Sequence, residues 1–130
     1  MLSSFRGKQA VLLAFFPLAF TSTCTTELCA FSEDYDQFAE KGVAILPISV
    51  DSRATLREYK QKFGMAVDLL SDFKRIVSTL YGVLLVERFY ANRAYFLIDK
   101  DGVVRWAFVE DTPGHRRENS EILAQIAALG

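Results

Sequence analysis

At 130 residues, of which 51% are hydrophobic and 24% charged, the chain has the size and composition of one folded domain, which excludes a disordered one. Fifteen basic against sixteen acidic residues leave a formal charge of −1, which argues against a nucleic-acid or anionic-membrane binder held by counterion release. Two cysteines and one histidine are too few for a disulfide-stapled scaffold or a complete Cys/His zinc site.

The first element is the apolar run from Ala10 to Phe20. With Arg6 and Lys8 ahead of it, the run resembles the charged and apolar parts of a signal peptide. Pro17 interrupts it, no small-x-small cleavage site follows cleanly, and eleven apolar residues are too few to span a bilayer. A strand over Ala10 to Phe16, buried on both faces, explains the same letters. Leu28, Phe31, Tyr35 and Phe38 then form one helical stripe ending near Gly42. Val43 to Val50 reads as a second strand, with Pro47 marking a local exception.

Asp51 or Ser52 can cap a helix carrying Leu56, Tyr59 and Phe63 that Gly64 stops. Asp72 can cap another, with Ile76, Val77, Leu80 and Tyr81 turned inward and Gly82 after it. Ala94 to Asp99 and Val103 to Val109 are strands joined through Asp101-Gly102. A last helix runs from about Asn119 to Leu129 with Ile122, Leu123, Ile126 and Leu129 on its apolar face. The order is β-α-β, one or two helices, then β-β-α, with no linker or internal repeat. It demands a parallel pair with a helical crossover, then an antiparallel hairpin and a covering helix. That is an α/β thioredoxin-like fold, a mixed central sheet flanked by helices on both faces, formed by residues 1–130 as a single domain.

Chemistry concentrates in Pro17-Leu-Ala-Phe-Thr21-Ser-Thr-Cys24-Thr-Thr-Glu27-Leu-Cys29. Cys24 lies between the end of the first strand and the start of the first helix, where ligands bind in open α/β sheets. A helix N-terminus favours thiolate over thiol. A free cysteine is only about 3% ionised at pH 7, so complete ionisation gains about thirtyfold and no more. Further acceleration needs donors aimed at the charge developing in the transition state. Thr21, the backbone N–H groups around Cys24 and an arginine are the donors expected.

Pro17, Thr21 and Cys24 form a P-x-x-x-T-x-x-C pattern that resembles the signature of the peroxiredoxins, the alkyl hydroperoxide reductase/thiol-specific antioxidant family. Glu27 matches an acidic or amide position three residues after the peroxidatic cysteine, and Arg93 matches the arginine that opens a later strand. The resemblance implies a cytoplasmic, bacterial thiol peroxidase acting on hydrogen peroxide or organic hydroperoxides, an antioxidant enzyme with no metal or organic cofactor. It further implies a thioredoxin-like protein or a low-molecular-weight thiol as reductant, no nucleic acid or membrane partner, and a monomer or homodimer. Cys24 would attack the peroxide, Thr21 and Arg93 would position it and stabilise the thiolate, Pro17 would shield the pocket and Glu27 would orient Arg93.

Cys29, five residues on, is spaced as in the bacterioferritin-comigratory, or peroxiredoxin Q, group, where the second cysteine resolves the sulfenic acid as an intramolecular disulfide. The run FFPLAFT also resembles the actinobacterial one-cysteine-like group, in which an external thiol resolves and Cys29 would be a small apolar residue beside Leu28. Peroxiredoxins usually carry a further segment ahead of the motif equivalent to Ser3–Lys8, whereas this sequence begins almost directly with that motif, as a truncated form, an alternative start or a natural short form would. His115 reads as a loop histidine, and Trp106 and the phenylalanines as core or as the rim of a dimer contact. Two other classes stand beside the peroxidase. One is a thioredoxin-like disulfide reductase, disfavoured by C-x4-C spacing; the other is a redox-sensing module without turnover.

Overall fold

The computed structural model describes residues 7–112 and 115–129; most of the Ser3–Lys8 motif and the Pro113-Gly114 pair lie outside them. Strands β1 (Ala10–Phe15), β2 (Val43–Ser49), β6 (Ala94–Ile98) and β7 (Val104–Val109) carry the sheet, and a two-residue β3 (Leu70–Ser71) extends one edge. The strand order is β3-β2-β1-β6-β7. β1 runs parallel to β2 and antiparallel to β6, β2 is parallel to β3, and β7 closes the hairpin with β6. A separate short ribbon pairs β4 (Leu84–Leu85) with β5 (Tyr90–Ala91).

β1 is central, and every residue in it is buried, which is why its sequence does not alternate. Leu12, Ala14 and the following Phe16 pack among residues of helices α1 (Ser22–Glu33), α2 (Tyr35–Glu40), α3 (Arg53–Phe63) and α5 (Asn119–Ala127). Val11, Leu13 and Phe15 point the other way, toward Val77 and Tyr81 at helix α4 (Ile76–Leu80) and its end. The expected mixed sheet with helices on both faces is the observed one.

Two sequence expectations need correction. The stripe from Leu28 to Phe38 is not one helix: α1 stops at Glu33, Asp34 leaves the helical region with ψ 11°, and α2 starts at Tyr35. Tyr35 accordingly sits at the surface, 41% exposed, while Phe31 and Phe38 remain buried edge to face. Second, Ile76 and Leu80 of α4 are exposed at 56% and 78%, so only Val77 and Tyr81 turn inward. Of the two caps expected for α3, Ser52 is the one that serves, accepting from the Thr55 N–H, and Gly64 ends the helix at φ 59°, the left-handed conformation that suits glycine. Asp72 does receive N–H groups at the start of α4, from Val77 and Ser78.

Pro47 fits inside β2 because of register. The Ile48 carbonyl bonds toward β1 and the Ser49 carbonyl toward Asp72 beyond β3, so Pro47, of Ser49's parity, directs its nitrogen to the β3 side. β3 pairs only with Ile48 and Ser49 and asks no donor of Pro47.

The β6–β7 turn is held by Asp99, whose carboxylate accepts from the Val103 and Asp101 N–H groups and from Arg105. These bonds, that from Val103 foremost, hold Asp99 below the usual carboxylate range. A lowered pKa contributes stability that is present above the unfolded value, about 4, and is lost as pH falls through the folded one. Asp99→Ala should therefore lower the melting temperature at neutral pH, with the gap to the parent closing in acid. A gap of constant size over that range would show that the ionised carboxylate is not what holds the turn.

Candidate active site

The register of the sheet creates the site. β1 and β6 pair so that Phe15 faces Ala94, which brings Arg93, just ahead of β6, beside the carboxyl end of β1. The chain leaves β1 through Pro17 and turns at Phe20, whose φ of 66° is left-handed. Thr21 then occupies the N-cap of α1. The loop is tied to the end of β2 by Asp51, whose Oδ2 accepts both the Ala19 N–H, at 2.8 Å, and the Ser49 hydroxyl, at 2.7 Å. Cys24 therefore falls in the first turn of α1, at its positive end.

Cys24 has no exposed surface. Its Sγ accepts a hydrogen bond from Arg93 Nη2 at 2.9 Å. The same guanidinium donates from Nη1 to Glu27 Oε1 at 2.8 Å. Glu27 stands three residues after Cys24, hence on the same side of α1, and is fully buried. Its other oxygen, Oε2, accepts from the Tyr95 hydroxyl. Asn92 fixes the backbone ahead of β6: its Oδ1 accepts from the Arg93 N–H and its Nδ2 donates to the Glu110 carbonyl. A cavity of about 200 Å³ opens onto this group, lined by Pro17, Leu18, Thr21, Ser22, Thr23, Cys24, Tyr90 and Arg93.

The electrostatics follow from burial. Loss of water pushes the Glu27 carboxyl above its usual range, against the pull of Arg93 and Tyr95. Burial also works against the charged guanidinium of Arg93, but the Glu27 carboxylate and then the Cys24 sulfur outweigh it, and Arg93 is held above arginine's ordinary value. Tyr95 is driven upward by burial and the adjacent Glu27. Behind Cys24, the Thr25 hydroxyl meets the Tyr59 hydroxyl at 2.8 Å; burial foremost, with the Cys24 charge contributing, raises Tyr59 to about 12.

All six expected residues lie on or beside α1 and the β1–β6 seam, but their arrangement differs from expectation in one respect. The Thr21 hydroxyl donates to the Leu18 carbonyl at 2.8 Å and makes no capping bond to α1. Its hydrogen is thus engaged, and toward the cavity Thr21 offers lone pairs where a donor was expected. Pro17 is buried in the cavity wall. Cys29 is farther along α1, partly buried against the core, and both thiols are free. His115 is exposed and forms none of this cavity's lining. Among the described residues no cluster of three His, Cys, Asp or Glu could hold a metal ion, and no helix is long and apolar enough to cross a membrane.

Asp51, Tyr90, Asn92 and Tyr95 were not anticipated. By sequence Asp51 is no more than a possible helix cap and Asn92 an ordinary loop residue. Tyr95 reads as a strand residue, Tyr90 falls in no expected element, and nothing local announces what their hydroxyls meet.

Comparison with known proteins agrees with this geometry. The profile of the AhpC/TSA family matches residues 1–107. Peroxiredoxin TSA1 of Saccharomyces cerevisiae is 40% identical over 119 residues, which cover 86% of this chain and 60% of that protein. Alkyl hydroperoxide reductase E of Mycobacterium tuberculosis is 37% identical over 130 residues, covering 98% of this chain and 84% of its own. The crystal structure of reduced Plasmodium vivax 2-Cys peroxiredoxin superposes with a TM-score of 0.90 at 36% identity, covering 98% of this chain and 69% of that one. The chain spans 60% to 64% of the length of the first curated relatives it matches.

Arg93→Met keeps bulk but leaves the Glu27 carboxylate buried and unpaired, which should lower the unfolding free energy by about 3 kcal/mol or more at neutral pH. Without Arg93, Glu27 titrates still higher. Stability is then greatest in acid, where the carboxyl is protonated, and is lost as pH rises through the folded value. Denaturant unfolding of both proteins across pH checks this; a deficit equally large in acid would trace the loss to packing and not to charge.

Proposed function

The chain belongs to the AhpC/TSA family, and from that premise we propose that it is a thiol peroxidase with Cys24 as its nucleophile. The 2.9 Å hydrogen bond from Arg93 to a fully buried Cys24 sulfur carries the reading, because it sets a permanent cation against the atom that must be anionic to attack. The cavity supplies room for a small hydroperoxide at that sulfur. The Cys24 thiolate attacks the outer peroxide oxygen; the S–O bond forms as the O–O bond breaks, and the departing oxide takes up a proton to leave as water or an alcohol. Sulfur is oxidised to the sulfenic acid and the peroxide is reduced. Arg93 and the positive end of α1 oppose the negative charge along this path. Thr21 Oγ1, its own hydrogen held by Leu18, accepts from the peroxide O–H and orients it.

Cys29 then attacks the sulfenic sulfur, expelling water and forming a disulfide, which a thioredoxin-like protein or a low-molecular-weight thiol of the cytoplasm reduces. This step requires α1 to open. Both cysteines lie on one continuous helix, where five residues amount to about 7.5 Å along the axis and roughly 140° around it, whereas a disulfide needs Cα atoms within about 7 Å. A second reading has an external thiol resolve Cys24; it is favoured by the packing of Cys29 against the core.

The test is the mass of reduced protein after stoichiometric peroxide and rapid alkylation. A Cys24–Cys29 disulfide, with no thiol left to alkylate, is expected; one added oxygen with one alkylated thiol selects the external resolver. Cys24→Ser should abolish peroxide consumption, and retained turnover in that variant would refute the mechanism.

A further inference from the structure

We propose that Tyr95 is a positioning residue of this site: its hydroxyl satisfies the outer oxygen of Glu27 and, through Glu27, fixes the Arg93 guanidinium against the Cys24 sulfur. The proposal rests on the peroxidase reading above. Tyr95 bonds Glu27 and the Arg117 N–H, and Arg93 bridges Glu27 and the sulfur.

The direction of each bond can be assigned. The Tyr95 oxygen accepts from the Arg117 N–H at 2.9 Å. Its one hydrogen is therefore turned to Glu27 Oε2, which can only accept when ionised. The donor cannot drift. The Tyr95 ring is fully buried and stacks on Trp106 with centroids 6.1 Å apart. Arg117 is itself clamped, its guanidinium bonding Glu110 at 2.8 Å and Glu121 at 3.3 Å and lying 4.4 Å from the centroid of Phe108. Oε1 of Glu27 is thereby left to Arg93, and Arg93 Nη2 to the sulfur. The relay reaches from the segment ahead of α5, through β6, to the first turn of α1.

The balance at Glu27 is what the hydroxyl controls. The groups acting on that carboxyl are Arg93, Tyr95 and Arg116 from the segment ahead of α5, and Cys24, on the same helix, meets the far end of the Arg93 guanidinium. Burial pushes the carboxyl toward its neutral form, and Tyr95 is among the partners that oppose this. A protonated Glu27 would no longer hold the guanidinium in place by charge. Tyr95→Phe keeps the ring and its stacking but removes the donor, so Glu27 should take up a proton at higher pH than in the parent.

The experiment is the rate of Cys24 oxidation by hydrogen peroxide, from acid to mildly alkaline pH, in the parent, Tyr95→Phe, Glu27→Gln and the double variant. Loss of a hydrogen bond to a charged group predicts a rate lower by roughly tenfold or more in Tyr95→Phe at neutral pH. The midpoint of the rate–pH profile should also move toward alkaline pH. In the Glu27→Gln background, Tyr95→Phe should cost nothing further, because the charge through which it acts is gone. A purely structural role would lower the melting temperature without moving the midpoint. The proposal is overturned by a parental rate and midpoint in Tyr95→Phe, or by an equal loss in both backgrounds. Should Glu27→Gln fail to fold, the midpoint of the single variant decides. A parent protein that peroxide does not oxidise would refute the peroxidase reading itself, whereas a fast parent with an equally fast Tyr95→Phe refutes only the role of Tyr95.

Discussion

Arg93 is a full positive charge with 1% of its surface exposed, and the rest of the site is arranged around that fact. A cation in a dry interior persists only if anionic or polar partners replace its water. Here the partners are Glu27 and Cys24, supplied three residues apart by one helix turn, so a single element presents both to one planar fork of donors. The geometry is selective as well as compensating. One end of the guanidinium is locked by a carboxylate, and the other end cannot swing away from the sulfur. What would be an expensive buried ion pair in an ordinary core becomes the device that aims charge at one atom.

The fold delivers these parts through a few contacts far apart in sequence. Pairing Phe15 with Ala94 sets Arg93 at the end of β1; shifting that register by one residue would send Arg93 to the other face of the sheet. The pairing is secured by a β1 strand buried on both faces and by Asn92, which receives the Arg93 N–H and reaches across to Glu110. Asp51 performs the matching task on the other side, holding the loop after Pro17 to the end of β2. The precision of the site therefore depends on polar side chains that never touch the cavity floor, and the apolar core alone would not supply it.

Much of this was legible in the sequence, for identifiable reasons. β1, β2 and the β6–β7 hairpin announce themselves because a buried strand is a continuous apolar run and a tight turn demands Asp-Gly chemistry. α3 does so because Ser52 and Gly64 punctuate it. Pro17, Thr21 and Cys24 stood out because their spacing resembles a known signature, and Glu27 and Arg93 because they fall at positions that match the same family. What escaped depends on tertiary contact. Apolar periodicity cannot see that Asp34 breaks the helix between Phe31 and Tyr35, nor that no neighbour covers Ile76 and Leu80. The pairs Leu70–Ser71, Leu84–Leu85 and Tyr90–Ala91 are too short to have a period at all. Tyr95 shows the same blindness in its sharpest form: a tyrosine inside a buried strand predicts core packing for its ring and says nothing about where its hydroxyl goes.

The same anchoring that makes the site rigid bears on the step proposed to follow oxidation of Cys24. To bring Cys29 to Cys24, α1 must unwind through Glu27 and Leu28, and both are fully buried. Glu27 is held by Arg93 and Tyr95, and Leu28 and Phe31 are set in the same core as Leu12 and Phe16. In the reduced state the triad of Cys24, Arg93 and Glu27 opposes that motion, because withdrawing any one member strands the others without water. On the proposed mechanism, oxidation of Cys24 to a sulfenic acid would loosen the sulfur's hold on Arg93, and with it part of the reason for the first turn of α1 to stay folded. On that proposal the oxidation that calls for a resolving thiol also weakens the constraint that keeps Cys29 away, while an external thiol would need only the cavity mouth. Which of the two proposed routes prevails would then come down to how firmly Leu28 and Phe31 hold α1 once Arg93 has lost its sulfur partner.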